Sequence, residues 1–135
     1  MWAFDASVLA VALGDDGPEG RRTRALLREA GDGAVPDCAE VETATVLRRW
    51  WLAGSLGGRR LAAALRDLTA LPFARFPARP FLPRVYELRA NVGAYDAVYV
   101  ALAESLRCNL VTADRRLTAT PGLRCPVSLA QPPGR

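Results

Sequence analysis

The sequence predicts a single α/β domain with a mainly parallel central sheet flanked by helices. Three observations carry this expectation. Short apolar runs alternate with helix-length stretches along the chain, the pattern of βαβ units with right-handed crossovers. At 135 residues the chain fits one domain able to bury roughly two-thirds of its unfolded surface. Neither an internal repeat nor a linker divides it, so residues 1–135 read as one unit.

The elements follow in order. Met1 to Phe4 is a short apolar run ending at Asp5, and Ala6 to Leu13 reads as a helix that Gly14 to Gly17 breaks. Glu19 to Ala30 is amphipathic, with Arg21, Arg22, Arg24 and Arg28 outward and Ala25, Leu26 and Ala30 inward. Gly33 to Pro36 fits a brief strand with a proline stop. From Asp37 to Ala53 the chain reads helical, with Val41, Ala44, Leu47 and Trp51 as its buried stripe. Gly54 to Gly58 is a turn, Arg59 to Leu71 a helix, and Phe73 to Phe76 a strand fenced by prolines. Phe81 to Asn91 reads as a helix broken off before Gly93. Tyr95 to Arg107 follows as the most apolar helix, with residues 97–103 apolar on every side and therefore buried. Asn109 to Thr112 is a strand with Asp114 close behind it, and Arg124 to Leu129 is a last strand. The Pro/Gly-rich tail, residues 131–135, is expected to fray.

Composition narrows the chemistry. The chain contains no histidine, and all 18 of its basic residues are arginine. Ser-His-Asp and Cys-His machinery, imidazole metal ligands, the phosphate-loop lysine and Schiff bases are excluded. Carboxylates, hydroxyls, three cysteines and arginine remain. The net charge of +4 and a pI near 9.5 suit an anionic partner such as nucleic acid. Cys38, Cys108 and Cys125 are odd in number and widely spaced, without a C-x-x-C pair, so three buried reduced thiols in a cytoplasmic protein are expected. Ala6 to Gly14 is too short and wrongly flanked for a signal peptide, and no run approaches the ~20 apolar residues of a membrane span.

Four acids sit where an apolar run ends or a helix begins: Asp5, Glu42, Asp96 and Asp114. Ligands of parallel α/β sheets bind outside the carboxyl ends of the strands, where Asp5 and Asp114 should point. Asp96 falls in a first helical turn, favourable for a carboxylate. Such a cluster suits a hard divalent cation held through oxygen. Each acid also has a structural explanation. Asp5 would cap the following helix, Asp96 favour a helix dipole, Asp114 make a turn, and Glu42 pair with Arg49. Periodicity does not choose between Glu40 and Glu42.

Four segments carry a resemblance. Phe4-Asp5-Ala6-Ser7, Val41 to Arg49, Tyr95-Asp96-Ala97 through Glu104, and Leu110-Val111-Thr112-Ala113-Asp114-Arg115-Arg116-Leu117 resemble, in order and spacing, the signature segments of PIN-domain ribonucleases. The likeness is greatest to VapC-type toxins of bacterial toxin–antitoxin pairs and runs from about Phe4 to Val127. The family register, six residues after a proline and five before a leucine, selects Glu42 over Glu40. Thr45 stands where the family often has asparagine, a departure that leaves the acids intact.

The resemblance implies a Mg²⁺-dependent endoribonuclease, with Mn²⁺ a substitute, usually a homodimer and inhibited by a cognate small antitoxin. Asp5 and Asp96 are expected as principal metal ligands, with Glu42 and Asp114 completing the site and activating water for hydrolysis. Ser7 and Thr112 support them through their hydroxyls. Arg115 and Arg116, then Arg48 and Arg49, are the expected RNA contacts. Trp50 and Trp51 are candidates for base stacking or partner binding, with at least one expected in the core. Two competing readings stand beside this one: a non-catalytic interaction module of the same fold, and a DNA-directed or structure-specific nuclease.

Overall fold

Among the described residues, five strands alternate with seven helices: β1 (Trp2–Phe4), α1 (Ala6–Gly14), α2 (Pro18–Ala30), β2 (Gly33–Pro36), α3 (Ala39–Leu52), α4 (Gly58–Ala70), β3 (Ala74–Phe76), α5 (Leu82–Glu87), α6 (Ala94–Leu106), β4 (Leu110–Thr112), α7 (Arg115–Thr118) and β5 (Val127–Leu129). A 3-10 turn, Arg79–Phe81, leads into α5. This computed structural model describes residues 1–130, so the expected frayed tail lies outside the described residues. Among them, no helix is long and apolar enough to cross a membrane.

The strands form one sheet in the order β3-β2-β1-β4-β5, and every pairing is parallel. β1 lies in the middle, with Ala3 beside Ala34 on one side and Leu110 on the other. The order runs outward from β1 through β2 and β3, then restarts beyond it with β4. The point of reversal lies between β1 and β4, where an open parallel sheet leaves a crevice at its carboxyl ends.

Ala3, Phe4, Leu110 and Val111 are buried, as expected of short strands covered on both faces. Gly33 is required by packing: a Cβ there would meet the Phe73 ring at 2.4 Å, and that ring stacks on Phe4 with centroids 5.4 Å apart. The all-apolar stretch of α6 behaves as expected, with residues 97–103 all buried. It packs on β1, β2 and β4.

Two apolar clusters meet along α1. Its Ala6, Val8 and Leu9 join the sheet core, while Ala10 and Leu13 join Leu47, Leu56, Ala64 and Leu68 between α1, α3 and α4. Burial of a side chain such as Leu47 contributes roughly 1.5–3 kcal/mol. Because α1 is held on both sides, its first turn, and Asp5 with it, is fixed against the sheet.

Several expectations need correction. The buried stripe of α3 is Ala39, Thr43 and Leu47, with Val46 and Trp50 half-buried, whereas Val41 is 73% exposed and Trp51 is exposed too. Thr43 hides a polar residue in the core and turns the more apolar Val41 outward. Trp50 is therefore the tryptophan that packs into the core. In α2, Ala25 faces solvent, and the buried positions are Gly20 and Thr23. The helix expected over 81–91 ends at Glu87, and the short α7 after Asp114 was not anticipated. The three cysteines are free, but each is only half-buried.

Candidate active site

Asp5 lies just past β1 and is only 5% exposed. Its Oδ1 accepts hydrogen bonds from the Ser7 hydroxyl (2.5 Å) and the Val8 backbone N–H (3.2 Å); its Oδ2 accepts one from the Thr112 hydroxyl. Asp5 thus caps α1 and anchors a network across the β1–β4 crevice. The two hydroxyls also accept: Ser7 from the Ala113 N–H at 3.1 Å and Thr112 from the Asp114 N–H at 3.0 Å. The segment carrying Asp114 is tied to Asp5 in this way, through the Ser7 and Thr112 hydroxyls.

Asp114 caps α7, accepting from the Arg116 N–H, and also pairs with the Arg116 guanidinium at 3.2 Å. Asp96 lies in the first turn of α6, which starts after Gly93 without a side-chain cap. Glu42 lies in the first turn of α3. The two glutamates differ in their surroundings. Glu40 pairs with Arg75, whereas Glu42 turns into the cleft, and no ion pair joins it to Arg49 among the described residues.

All four acids line one cleft of about 530 Å³, together with Ser7, Cys38, Val41, Thr45, Arg49 and Tyr95. A smaller hollow of about 240 Å³ adjoins it and shares Asp96 and Asp114, with Arg116 on its wall. Arg115 is exposed on α7, and Arg48 is exposed on α3 without lining the cleft. Sequence reasoning missed Cys38, which it treated as a structural thiol, and the 61%-exposed Tyr95 at the rim. For Tyr95, adjacency to Asp96 was the available signal; Cys38 had none.

The acids feel one another. Burial pushes the Asp5 carboxyl above the ordinary carboxylate value, opposed by the Ser7 and Thr112 hydrogen bonds, and the Asp96 charge adds to the rise. Burial likewise raises Glu42, with Asp96 and Asp5 contributing, and raises Asp96, with Asp114 contributing. Asp114 alone is lowered, by its hydrogen bond from Arg116. Three carboxyls in one cleft are thus held above their usual range, chiefly by burial and further by one another's charge.

The donor set is all oxygen and anionic, which fits a hard divalent cation. Among the described residues, however, no three acidic or sulfur side chains stand close enough together to hold one ion as placed. As placed, Asp5 is engaged by the Ser7 and Thr112 hydroxyls and Asp114 by the Arg116 guanidinium. The set fits such an ion in its chemistry.

Comparisons with known proteins come to the same place. The family model of the PIN domain matches residues 3–123. Ribonuclease VapC9 of Mycobacterium tuberculosis is 40% identical over 129 residues, covering 96% of this chain and 98% of its own length. Among solved structures, Mycobacterium tuberculosis VapC20, a Sarcin-Ricin loop cleaving toxin, matches with a TM-score of 0.71 at 16% identity, covering 91% of this chain and 96% of its own. DNA-bound VapBC from Salmonella typhimurium matches with a TM-score of 0.65 at 17% identity, covering 96% and 98%. At those identities the structural likeness is one of fold.

Proposed function

Because the chain belongs to the PIN-domain family, and within it to the VapC ribonucleases, we propose that it is the toxin of a toxin–antitoxin pair and hydrolyses RNA phosphodiester bonds with Mg²⁺ in its acidic cleft. Mn²⁺ is the expected substitute. The observation that carries this reading is the meeting of four carboxylates from four separate segments in one cleft, in a chain without histidine or lysine. Asp5, Glu42, Asp96 and Asp114 would hold the ion. When bound, such an ion offsets the carboxylates and polarises water and phosphate oxygens.

The chain's own residues then have separate tasks. Ser7 and Thr112 fix the rotamer of Asp5 by donating to its two oxygens. Arg49 on the cleft wall and Arg116 beside Asp114 supply planar guanidinium groups for the RNA backbone, with exposed Arg115 next to it. The chain carries 18 basic residues against 14 acidic ones, which favours a polyanion overall. Three free thiols accord with the reducing cytoplasm, where RNA is available.

The metal reading is tested by chelation. EDTA is expected to abolish cleavage, and added Mg²⁺ or Mn²⁺ to restore it. Cleavage that persists in chelator, once contaminating nucleases are excluded, overturns it.

A cognate antitoxin and a homodimer belong to the same reading. The VapBC complexes among the structural neighbours support the former. Exposed Trp51 and Leu52 on α3, and Leu82 and Tyr86 on α5, offer apolar surface for protein partners. The antitoxin is expected to cover the cleft with an arginine or lysine, supplying the positive charge that the acids lack. RNA cleavage assayed with and without the co-expressed antitoxin checks this; a bound antitoxin that leaves cleavage unaffected counts against it.

A further inference from the structure

We propose that Tyr99 is a positioning residue of the acidic cleft, its phenolic hydroxyl orienting the Glu42 carboxylate. The inference rests on the nuclease reading above and extends it to a residue with no assigned role. Tyr99 lies three positions after Asp96 on α6, on the same side of the helix. It is 0% exposed and is the largest fully buried side chain among the described residues.

Its hydroxyl has no hydrogen-bond partner. Only one other buried side-chain atom among the described residues shares that condition, Thr43 Oγ1. A buried tyrosine hydroxyl ordinarily finds an acceptor, and one left unsatisfied loses its hydration for nothing. Phenylalanine would fill the same space without that cost. The hydroxyl therefore needs a use.

Besides burial, the group that acts most strongly on it is Glu42, with Cys38 and Asp5 acting through their charge. Glu42 lies against the hydroxyl without meeting hydrogen-bond geometry. The acid is in the complementary condition. Asp5 and Asp114 each accept hydrogen bonds that set their orientation, whereas the Glu42 carboxylate accepts none of ordinary geometry among the described residues. An unused donor thus faces an acid that no other donor holds. Pairing them satisfies the phenol and fixes the longest and most flexible of the four acidic side chains. The phenol remains protonated throughout, since burial and the Glu42 charge both push its pKa upward.

Tyr99→Phe is the test, with Glu42→Gln and the double variant beside it. Each purified protein is melted without divalent ion, titrated with Mn²⁺ by calorimetry, and assayed for RNA cleavage across Mg²⁺ concentrations. The expected result for Tyr99→Phe is an unchanged or higher melting temperature without metal. Mn²⁺ affinity should fall on the order of 10-fold, as for other residues that orient metal ligands. Cleavage should fall too and recover partly at high Mg²⁺. In the Glu42→Gln background, Tyr99→Phe should add little, because its effect passes through Glu42.

A variant that melts lower yet binds Mn²⁺ and cleaves RNA like the wild type assigns Tyr99 to packing and overturns the inference. So does a loss of equal size in the Glu42→Gln background. If the wild-type protein itself neither binds Mn²⁺ nor cleaves RNA, the nuclease reading fails and this inference falls with it.

Discussion

Asp5→Asn is expected to lower RNA cleavage by on the order of 100-fold or more, in a protein that still folds. Asp5 is the most enclosed of the four acids and the only one tied by side-chain hydroxyls, from Ser7 in α1 and Thr112 at the end of β4. Asparagine keeps its shape and one carbonyl acceptor, so the cap on α1 can survive. Its amide end can no longer accept, so either Ser7 or Thr112 loses an acceptor, which costs roughly 1–3 kcal/mol. Removal of a buried charge offsets part of that loss, since burial holds the Asp5 carboxyl above its ordinary value. Stability therefore changes little while the negative oxygen needed by a cation disappears. Thr112→Val, which removes only one of the supporting hydroxyls, should cost on the order of 10-fold. Mapping RNA ends after conditional expression, with melting curves on the purified variants, checks both. Wild-type cleavage by Asp5→Asn would reduce Asp5 to a helix cap.

The sequence made much of this site legible because its acids sit at punctuation. Asp5 and Asp114 follow short apolar strands, and Asp96 falls in the first turn of α6, whose residues 97–103 are all buried, so their placement follows from topology. Glu42 was harder. Residues on a helix are placed by the buried stripe, and the apolar residues of α3 suggested Val41 and Trp51 when the core side is Ala39, Thr43 and Leu47. A buried threonine looks like a surface residue in sequence, and an exposed valine looks like core. What separates Glu40 from Glu42 is a long-range partner, Arg75 on β3, which no local pattern reveals. Tyr99 was invisible for the opposite reason. In a run of buried apolar residues its ring is unremarkable, and only the unpartnered hydroxyl sets it apart. The four residues of α7 carry too little periodicity to announce a helix, yet α7 is what brings Arg116 back onto Asp114.

Asp96→Asn separates an acid kept for function from one kept for stability. If Asp96 only supports α6, its loss removes a favourable charge–dipole interaction and lowers stability by roughly 0.3–1 kcal/mol. The neighbours argue for the contrary result. Burial and the Asp114 charge together hold the Asp96 carboxyl above its ordinary value, despite Arg116 nearby and despite its favourable place in a first helical turn. The folded protein thus binds this proton more readily than the unfolded chain does. For a carboxyl raised on folding, stability is full below the unfolded pKa and is lost as pH rises through the folded one. Metal-free Asp96→Asn should consequently melt at or above the wild type at neutral pH. That advantage should vanish on acidification through the upper carboxylate range, where Asp96 of the wild type becomes neutral. Added Mg²⁺ should reverse the order by stabilising the wild type more than the variant, while cleavage by the variant collapses. Melting curves across pH, with and without Mg²⁺, read all of these outcomes. A variant that melts lower without metal at every pH and still cuts RNA would make Asp96 a helix-stabilising charge, and the cleft would have to work with three acids.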